Sequence, residues 1–427
     1  MVARQFYGLY KLMRNPRKSC QAILEIQERK LRRLVRHAAN NVPYYRESFK
    51  ALNIKPEDIR TLKDLQKLPL TSKKILQELP LKKKMAGTVD LQRCHSFSTS
   101  GTTGIPLKIY FRRRDMIYMN LSWMRAYLAA GLKPRDKLLV FVGASEVDQK
   151  KSWYEHLGFL RRKKISTWAR PEEWVKGIRG WNPDVIIGYV MTLNILGETL
   201  QRIKARDISP RIIFHSSAVL DDFSRKFFHS VFSCRVVDLY GSYEGGCIAW
   251  ECEVCSGYHI SSDLLIVEIL KNDKPVSPGE AGEVVITNLH SYAMPFIRYQ
   301  LGDMAVLSKK KPSCGREFPL LENIQGRIDD FIVLRNGQKL TPHPFYHCLD
   351  PVPGIRRWRI IQEDADKLTV EIEAGNDFEK SSLRAIEDRL RNLVGDEMEI
   401  YFSLVESMVI HPSLKFRAVS SKMGTRP

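Results

Sequence analysis

The chain has 427 residues, 44% apolar and 27% charged, a composition that is ordinary for a globular protein with room for two or three domains. No run of about 18 apolar residues occurs, which excludes a membrane-spanning helix, and the basic N-terminal segment lacks the apolar core of a secretory leader, so we expect a cytoplasmic protein. The formal net charge of +20 has three interpretations: attraction of anionic ligands, contact with an anionic membrane face, or a basic surface that is simply solvated. We expect no nucleic-acid partner, because no nucleic-acid-binding motif is recognisable.

The first predicted elements are helical. Apolar and aromatic residues of segment 6–13 are interspersed with basic ones, so this segment either contacts a membrane surface peripherally or packs as a helix on its own domain. Further helices are predicted over 21–48, over 62–79 with a break at Pro69, and over 115–131, where a glycine ends the pattern.

The middle of the chain predicts α/β structure. Short apolar runs at 138–142, 185–188 and 211–214 are typical of buried parallel strands, and helical patterns at 193–205 and 221–232 separate them. Such alternation predicts a parallel sheet with helices on its faces. From residue 264 the strands read as antiparallel, and residues 331–427 predict a small α+β unit with a helix at 378–393.

A loop rich in hydroxyl groups precedes this region. Residues 98–106 contain five Ser or Thr side chains and two glycines, followed by the strand-like run 107–111. Small residues let a loop turn tightly and present N–H groups, and the hydroxyls add donors, so such a loop can hold a phosphate chain. It lacks the GxxxxGK[ST] pattern of a Walker loop. By itself the cluster is equally typical of a solvent-exposed loop.

Four further segments follow in order, and together with the hydroxyl loop they resemble the core motifs of the adenylate-forming enzymes. They are 240–246 (YGSYEGG), 298–303 (RYQLGD), 326–330 (GRIDD) and 414–417 (LKFR). The similarity is greatest to the phenylacetate–CoA ligase family with its CapK-like, capsular polysaccharide branch, and it extends to the opening segment 35–46.

The resemblance implies a large N-terminal adenylation domain over 1–328 and a small, mobile C-terminal lid over 329–427. Within the large domain we expect a helical region (1–95), an α/β core of parallel-sheet subdomains (96–263) and a small barrel-like β region (264–328).

The resemblance also implies roles for individual residues. The phosphate loop comprises Thr99, Ser100, Gly101, Thr102, Thr103 and Gly104. Further ATP-binding positions are Ser217, Ala218, Asp238, Tyr240, Gly241, Ser242, Asp303 and Arg327. Glu244 is expected to bind Mg²⁺, Asp303 the ribose hydroxyls, and Lys415 to be the catalytic lysine, with Arg327 assisting and Asp329 at the hinge.

These residue types suit acyl-adenylate formation. A carboxylate that attacks the α-phosphorus of ATP is already ionised at neutral pH, so the protein needs no nucleophile or general base of its own. It must orient the reactants and neutralise charge on the phosphates. Two positions depart from the family pattern: Tyr243 replaces a small hydroxyl residue before the metal-binding acid, and Leu414 replaces a glycine before the lysine.

The eight cysteines are too scattered for a secreted disulfide framework. Cys252, Cys255, His259 and Cys314 have the composition of a structural zinc site, the alternative being ordinary buried thiols and a surface histidine.

The resulting hypothesis is ATP-dependent activation of a small carboxylic acid, with release of pyrophosphate, followed by acyl transfer to coenzyme A. One alternative acceptor is an amine or hydroxyl of a sugar or amino acid. A non-catalytic nucleotide-binding protein is the alternative from another class, and homodimerisation is left open. Four aromatic residues fit either an aryl-acid pocket or plain core, namely Phe141, Trp153, Tyr154 and Tyr189.

Overall fold

The computed structural model describes residues 2–98, 106–147, 152–216, 218–220, 222–252, 254, 257–340, 342–349, 352–375, 377–408 and 418–423. Within these ranges the α-helices are α1 (Val2–Arg14), α2 (Cys20–Asn41), α3 (Pro43–Ala51), α4 (Lys73–Glu78), α5 (Leu81–Lys84), α6 (Arg113–Ala129), α7 (Trp153–His156), α8 (Pro171–Trp181), α9 (Val190–Arg202), α10 (Asp222–Phe232), α11 (His343–Leu349) and α12 (Ser382–Val394). No helix in the described part of the chain is both long and apolar enough to cross a bilayer.

The strands fall into one large sheet and three smaller ones. They are β1 (Cys94–Ser98), β2 (Lys108–Arg112), β3 (Lys137–Val142), β4 (Arg161–Ser166), β5 (Val185–Gly188), β6 (Ile212–Ser216), β7 (Arg235–Ser242), β8 (Gly246–Glu251), β9 (Tyr258–Ile260), β10 (Leu265–Lys271), β11 (Lys274–Pro275), β12 (Ala281–Asn288), β13 (Tyr299–Leu307), β14 (Leu320–Arg327), β15 (Ile332–Val333), β16 (Lys339–Leu340), β17 (Ile355–Asp364), β18 (Lys367–Ala374), β19 (Glu399–Val405) and β20 (Val419–Ser421).

The large sheet has a parallel half and an antiparallel half. Its twelve strands run in the order β11-β10-β12-β13-β14-β9-β8-β7-β6-β5-β3-β4. Neighbours from β4 to β7 are parallel, and all pairs from β7 to β11 are antiparallel. The predicted α/β class is therefore confirmed. The structure adds that the parallel core and the β-rich region share one continuous ladder through the β7–β8 pair.

The parallel half has the buried strands that its sequence predicts. Leu139, Ile186 and Ile213 on β3, β5 and β6 pack with Trp174 of α8 and Phe228 of α10 in one hydrophobic cluster. Strand β4 was not predicted, because four of its six residues are cations and mask the apolar pattern. It lies at the sheet edge, where charged side chains discourage pairing with another chain.

One long helix predicted in the N-terminal region is divided in the structure. The segment predicted as a single helix over 21–48 forms α2 and α3, which meet at Val42 with φ −113° and ψ 113°. Pro43 causes the break, because its ring disfavours α conformation at the preceding residue, while proline itself is well suited to the first turn of the next helix.

The C-terminal part has a core of its own. Strands β17 to β20 form a four-stranded sheet in the order β19-β18-β17-β20, and Ile360, Val370 and Leu390 lie in a hydrophobic cluster that runs from Ile332 to Val419. Helix α12, predicted over 378–393, contributes three buried residues to this cluster: Ile386, Leu390 and Val394.

Candidate active site

Three predicted site residues meet where β7, β13 and β14 come together. The Tyr240 hydroxyl donates to Asp303 Oδ2 at 2.7 Å, and Arg327 Nη1 lies 3.9 Å from Asp303 Oδ1. Asp303 and Arg327 are partners in the β13–β14 register. Gly302, with φ +74°, precedes the aspartate, and a Cβ there would lie 3.2 Å from the Arg327 guanidinium. A phenol, a carboxylate and a guanidinium are thus held at one place.

The contact between Tyr240 and Asp303 requires a strongly curved sheet. Strands β8, β9 and β14 separate β7 from β13 in the hydrogen-bonded order. In a flat sheet these four interstrand steps would span about 19 Å, far beyond the reach of a tyrosine side chain. The sheet therefore curls so that its antiparallel half faces the end of β7, as expected for the barrel-like region.

Glu244 lies in the turn between β7 and β8 and is only 7% exposed. The Tyr299 hydroxyl donates to its Oε1 at 3.2 Å, and Asn288 Nδ2 donates to its backbone carbonyl at 2.6 Å. Burial raises the pKa of the Glu244 carboxyl, and the negative charge of Asp303 adds to this effect. Ionising a buried carboxyl costs free energy, and a bound cation would offset this cost. The setting of Glu244 therefore fits its predicted role as a magnesium ligand.

Gly241 is sterically required at the end of β7. A Cβ at this position would lie 2.5 Å from the Gly246 carbonyl and 2.6 Å from the Trp123 ring, distances that no real side chain tolerates. Ser242 follows, and its hydroxyl accepts the Gly245 N–H at 3.0 Å. These contacts determine the shape of the turn that carries Glu244.

Asp238 differs from the other predicted ATP-binding residues because its carboxylate is engaged inside the protein. Oδ2 accepts the Tyr258 hydroxyl at 2.8 Å, and Oδ1 lies 3.0 Å from Nδ1 of the fully buried His215. The residue is 5% exposed. Ala218 lies exposed just after β6. Both carboxylate oxygens of Asp238 thus have partners inside the protein, which fits a supporting position under the strand end, and its contact with ATP stays a prediction.

Several predicted residues cannot be placed. The loop Thr99, Ser100, Gly101, Thr102, Thr103 and Gly104 lies outside the described residues, as do Ser217, Cys255 and Lys415. The backbone of Asp329 lies in a short 3-10 turn, Ile328–Asp330, directly after β14. The ends of the hydroxyl loop are placed, because β1 and β2 pair antiparallel in the register Ser98 to Lys108.

Tyr243, which departs from the family pattern, is half exposed beside Glu244. Its ring stacks on Phe97 of β1 with centroids 5.1 Å apart and an interplanar angle of 19°. The extra ring thus packs against the strand that leads into the hydroxyl loop.

Three of the four candidate aromatic residues of an acid pocket differ in their surroundings, while the side chain of Trp153 lies outside the part that the structure describes. Phe141 is 2% exposed and meets Trp174 edge-on at 5.3 Å, so it belongs to the core. Tyr189, at the carboxyl end of β5, is 40% exposed and can face a ligand. Tyr154 is partly covered by the Arg162 guanidinium, 5.9 Å from its ring centroid.

Two residues of the site were missed by sequence reasoning. Tyr299 lies inside the 298–303 motif, and its position next to an arginine could have drawn attention to it. Asn288 carries no local signal, since it is an ordinary residue at the end of β12. Only the fold brings both to Glu244.

A second cluster combines Cys252, His259 and Cys314, whose candidate ligand atoms all lie within 4.8 Å of one another. His259 Nδ1 lies 3.3 Å from the Phe318 carbonyl, and Nε2 lies 3.3 Å from Cys314 Sγ. A proton on Nδ1 leaves the Nε2 lone pair directed at the thiol, as in a metal-binding histidine. Burial lowers the pKa of His259 to about 4, so the ring is neutral at pH 7. These residues fit a zinc ion.

Comparisons with known proteins agree with this architecture. Residues 332–422 match the CapK C-terminal domain family. The chain is 29% identical over 329 residues to phenylacetate–coenzyme A ligase of Escherichia coli (strain K12), covering 74% of each chain. It is 21% identical over 434 residues to Protein CapK of Staphylococcus aureus, covering 97% of this chain and 92% of the relative.

The fold is also that of a solved ligase. The structure of 2-hydroxyisobutyryl-CoA ligase in the postadenylation state, in complex with R3-HIB-AMP, superposes with a TM-score of 0.78 at 19% identity, covering 96% of this chain and 92% of that one. Motif order, fold and sequence similarity together make the chain a homologue of the phenylacetate–CoA ligases and of CapK, with a CapK C-terminal domain and the fold of the adenylate-forming CoA ligases.

Proposed function

We propose that the protein activates a carboxylic acid with ATP, forming an acyl-adenylate and pyrophosphate, and then transfers the acyl group to coenzyme A. The observation that carries this proposal is the meeting of Tyr240, Asp303 and Arg327 beside the buried Glu244. An ionised carboxylate suits the two adjacent hydroxyls of a ribose, and a guanidinium suits phosphate.

Each residue has a task in the proposed adenylation step. Tyr240 stacks on adenine, Asp303 accepts the ribose hydroxyls, and Arg327 steadies the ribose or phosphate. The hydroxyl loop 99–104 binds the β- and γ-phosphates through N–H and O–H donors. Glu244 would hold Mg²⁺, whose charge would screen the negative charge of the phosphates from the incoming carboxylate. Attack at the α-phosphorus then requires orientation and charge neutralisation alone.

We propose further that residues 329–427 form a lid that brings Lys415 to the α-phosphate. The support for a separate lid is the independent hydrophobic cluster of the C-terminal part and its separate four-stranded sheet. A lysine ammonium is a compact charge that can neutralise one developing oxyanion and then withdraw with the lid. Asp329, in the 3-10 turn after β14, is the proposed pivot.

The acceptor is the second part of the proposal. Coenzyme A is favoured by the similarity to phenylacetate–coenzyme A ligases. An amine or hydroxyl of a sugar or amino acid is the alternative, and it is supported by the similarity to CapK over nearly the whole chain. A product assay with isolated acyl-adenylate and either acceptor distinguishes the two.

We also propose that Cys252, His259 and Cys314 bind a structural zinc ion, with Cys255 as the fourth ligand. Their donor atoms lie close enough to share one ion, and His259 is held by the Phe318 carbonyl in the tautomer that a metal requires. The ion would tie β9 to the loops that follow β8 and precede β14.

The proposed activity is tested by acid-dependent pyrophosphate release over a panel of aryl, fatty and amino acids. At least one acid should stimulate release from ATP and magnesium. Asp303→Asn removes one charge from the proposed ribose site and should raise the KM for ATP about tenfold or more, because a charge-assisted hydrogen bond is lost. ATP binding without turnover across the panel would favour a non-catalytic nucleotide-binding protein, for which Tyr243 and Leu414 are the sequence support.

A further inference from the structure

The outward face of α1 carries an unusual set of side chains for a helix at a protein surface. Phe6, Tyr7 and Tyr10 are 58%, 59% and 56% exposed, and Lys11 and Arg14 are exposed beside them. Because positions 6, 10 and 14 and positions 7 and 11 are four residues apart, these side chains form one stripe along the helix. Three large rings and two cations therefore share a single solvent-facing surface, which we call the aromatic-basic face.

The opposite face of α1 is packed against the body of the protein. Leu12 is 3% exposed and belongs to the hydrophobic cluster that includes residues of β10 and β13. Gly8 lies so close to Leu121 of α6 that a Cβ would be 3.1 Å from that side chain. The helix thus already has its intramolecular partner. The aromatic-basic face lies on the other side of the helix and faces away from the core.

The segment that carries the aromatic-basic face is rich in basic residues. Residues 1–24 contain Arg4, Lys11, Arg14, Arg17 and Lys18 and no acidic residue. The three consecutive lysines at 309–311 lie in the loop after β13, which contacts the end of this segment through a Glu317 N–H to Pro16 carbonyl bond of 2.6 Å. At the end of this segment the thiol of Cys20 donates to the acidic Glu317 at 3.4 Å, and Lys311 also acts on Cys20 electrostatically.

We propose that the aromatic-basic face binds the surface of an anionic lipid bilayer, with α1 lying in the headgroup region. Rings with polar tips and long-stemmed cations are the residues that interfacial helices use, and acidic lipids complement a chain of net charge +20. The proposal is independent of the reaction catalysed.

Two other occupants fit the face less well. A second copy of the chain would bring like charges together around the same helix. Single-stranded nucleic acid would need open ring faces for stacking, but Lys11 covers Tyr7 at 4.5 Å and Arg14 covers Tyr10 at 5.5 Å from the ring centroids. Insertion of whole rings between headgroups does not require open ring faces.

Vesicle flotation of the full-length protein tests the proposal. We expect binding to vesicles of equal parts phosphatidylcholine and phosphatidylglycerol, weaker binding at high salt, and little binding to phosphatidylcholine alone. Phe6→Ser/Tyr7→Ser/Tyr10→Ser should weaken binding about tenfold or more, because the inserted apolar area is lost. Lys11→Gln/Arg14→Gln should weaken binding and reduce its salt dependence.

The matched control is Leu91→Ser/Leu157→Ser/Tyr401→Ser, which removes three exposed apolar side chains elsewhere and should bind like the wild type. All variants are checked for an unchanged melting temperature. Binding that neither α1 variant weakens, or equal binding to neutral vesicles, overturns the proposal. So does a result in which the α1 variants abolish self-association or RNA binding while leaving flotation unchanged.

Discussion

Glu244 is the residue on which the proposed chemistry depends most directly. Its carboxyl is buried, it receives a hydrogen bond from Tyr299, and Asp303 places a second negative charge nearby. The raised pKa of Glu244 means that, without a cation, ionising the carboxyl costs more in the folded protein than in the unfolded chain. Stability from this group is therefore greatest at low pH and falls as pH rises through the shifted pKa, unless a metal ion restores it.

From the raised pKa of Glu244 we predict that the pH dependence of adenylation changes with the magnesium concentration. The rate of adenylation should fall on acidification, in an acidic limb of the pH profile set by a pKa above the ordinary glutamate value. A higher magnesium concentration should move this acidic limb to lower pH, because the metal binds the ionised carboxylate. Glu244→Gln should lower kcat about a hundredfold and remove the limb. The measurement is the pH profile of pyrophosphate release at several magnesium concentrations. A limb that magnesium does not move would contradict metal binding by this carboxyl.

At the scale of the element, the cluster of Cys252, His259 and Cys314 would hold strand β9 in position. It has only three residues, and it pairs with β8 on one side and with β14 on the other. His259 on β9 lies beside Cys252 and Cys314, which come from loops on either side in the sequence. A metal ion would cross-link these three segments.

Cys314→Ser should therefore lose the bound zinc and lower the melting temperature by about 5 °C, because a structural metal contributes to folding free energy. Zinc is measured by mass spectrometry of the purified protein, and Cys20→Ser, at an exposed thiol outside the cluster, is the control. Wild-type protein that contains no zinc while its cysteines are reduced and intact would rule the site out.

At the scale of the whole molecule, the proposed reaction needs two arrangements of one lid. Lys415→Ala should lower adenylation about a thousandfold, because it removes the cation that stabilises charge at the α-phosphate. Transfer from preformed acyl-adenylate should be nearly unaffected. The two half-reactions are measured separately by pyrophosphate release and by product formation.

Lys422→Ala is the control for this experiment, because Lys422 is an exposed lysine of the same terminal segment whose ammonium pairs with Glu363 at 2.5 Å. It should leave both half-reactions unchanged. If Lys415→Ala slowed both half-reactions equally, the lysine would act in both of them. The proposal that the lid takes a different orientation in each half-reaction would then be wrong.

Patterns among neighbouring residues were sufficient to predict many of the helices and strands of this protein. The buried strands β3, β5 and β6 and the helices α9, α10 and α12 follow from apolar runs and periodicity, which depend only on neighbouring residues. The motifs around Tyr240, Asp303 and Arg327 indicated the enzyme family by their order. The edge strand β4 and the break before Pro43 were missed, the first because cations masked the pattern and the second because a single residue interrupts a long helical periodicity.

The sequence by itself determined the fold class, the similarity to the phenylacetate–CoA ligases and the chemical types of the candidate site residues, since these are carried by short segments. Only the tertiary structure decided that Tyr240 reaches Asp303 across a curled sheet, that Tyr299 and Asn288 hold Glu244, and that Asp238 is engaged by His215 and Tyr258. The physical reason is that these contacts join residues far apart in the chain. Their distances depend on the curvature of a twelve-stranded sheet, which no local pattern encodes.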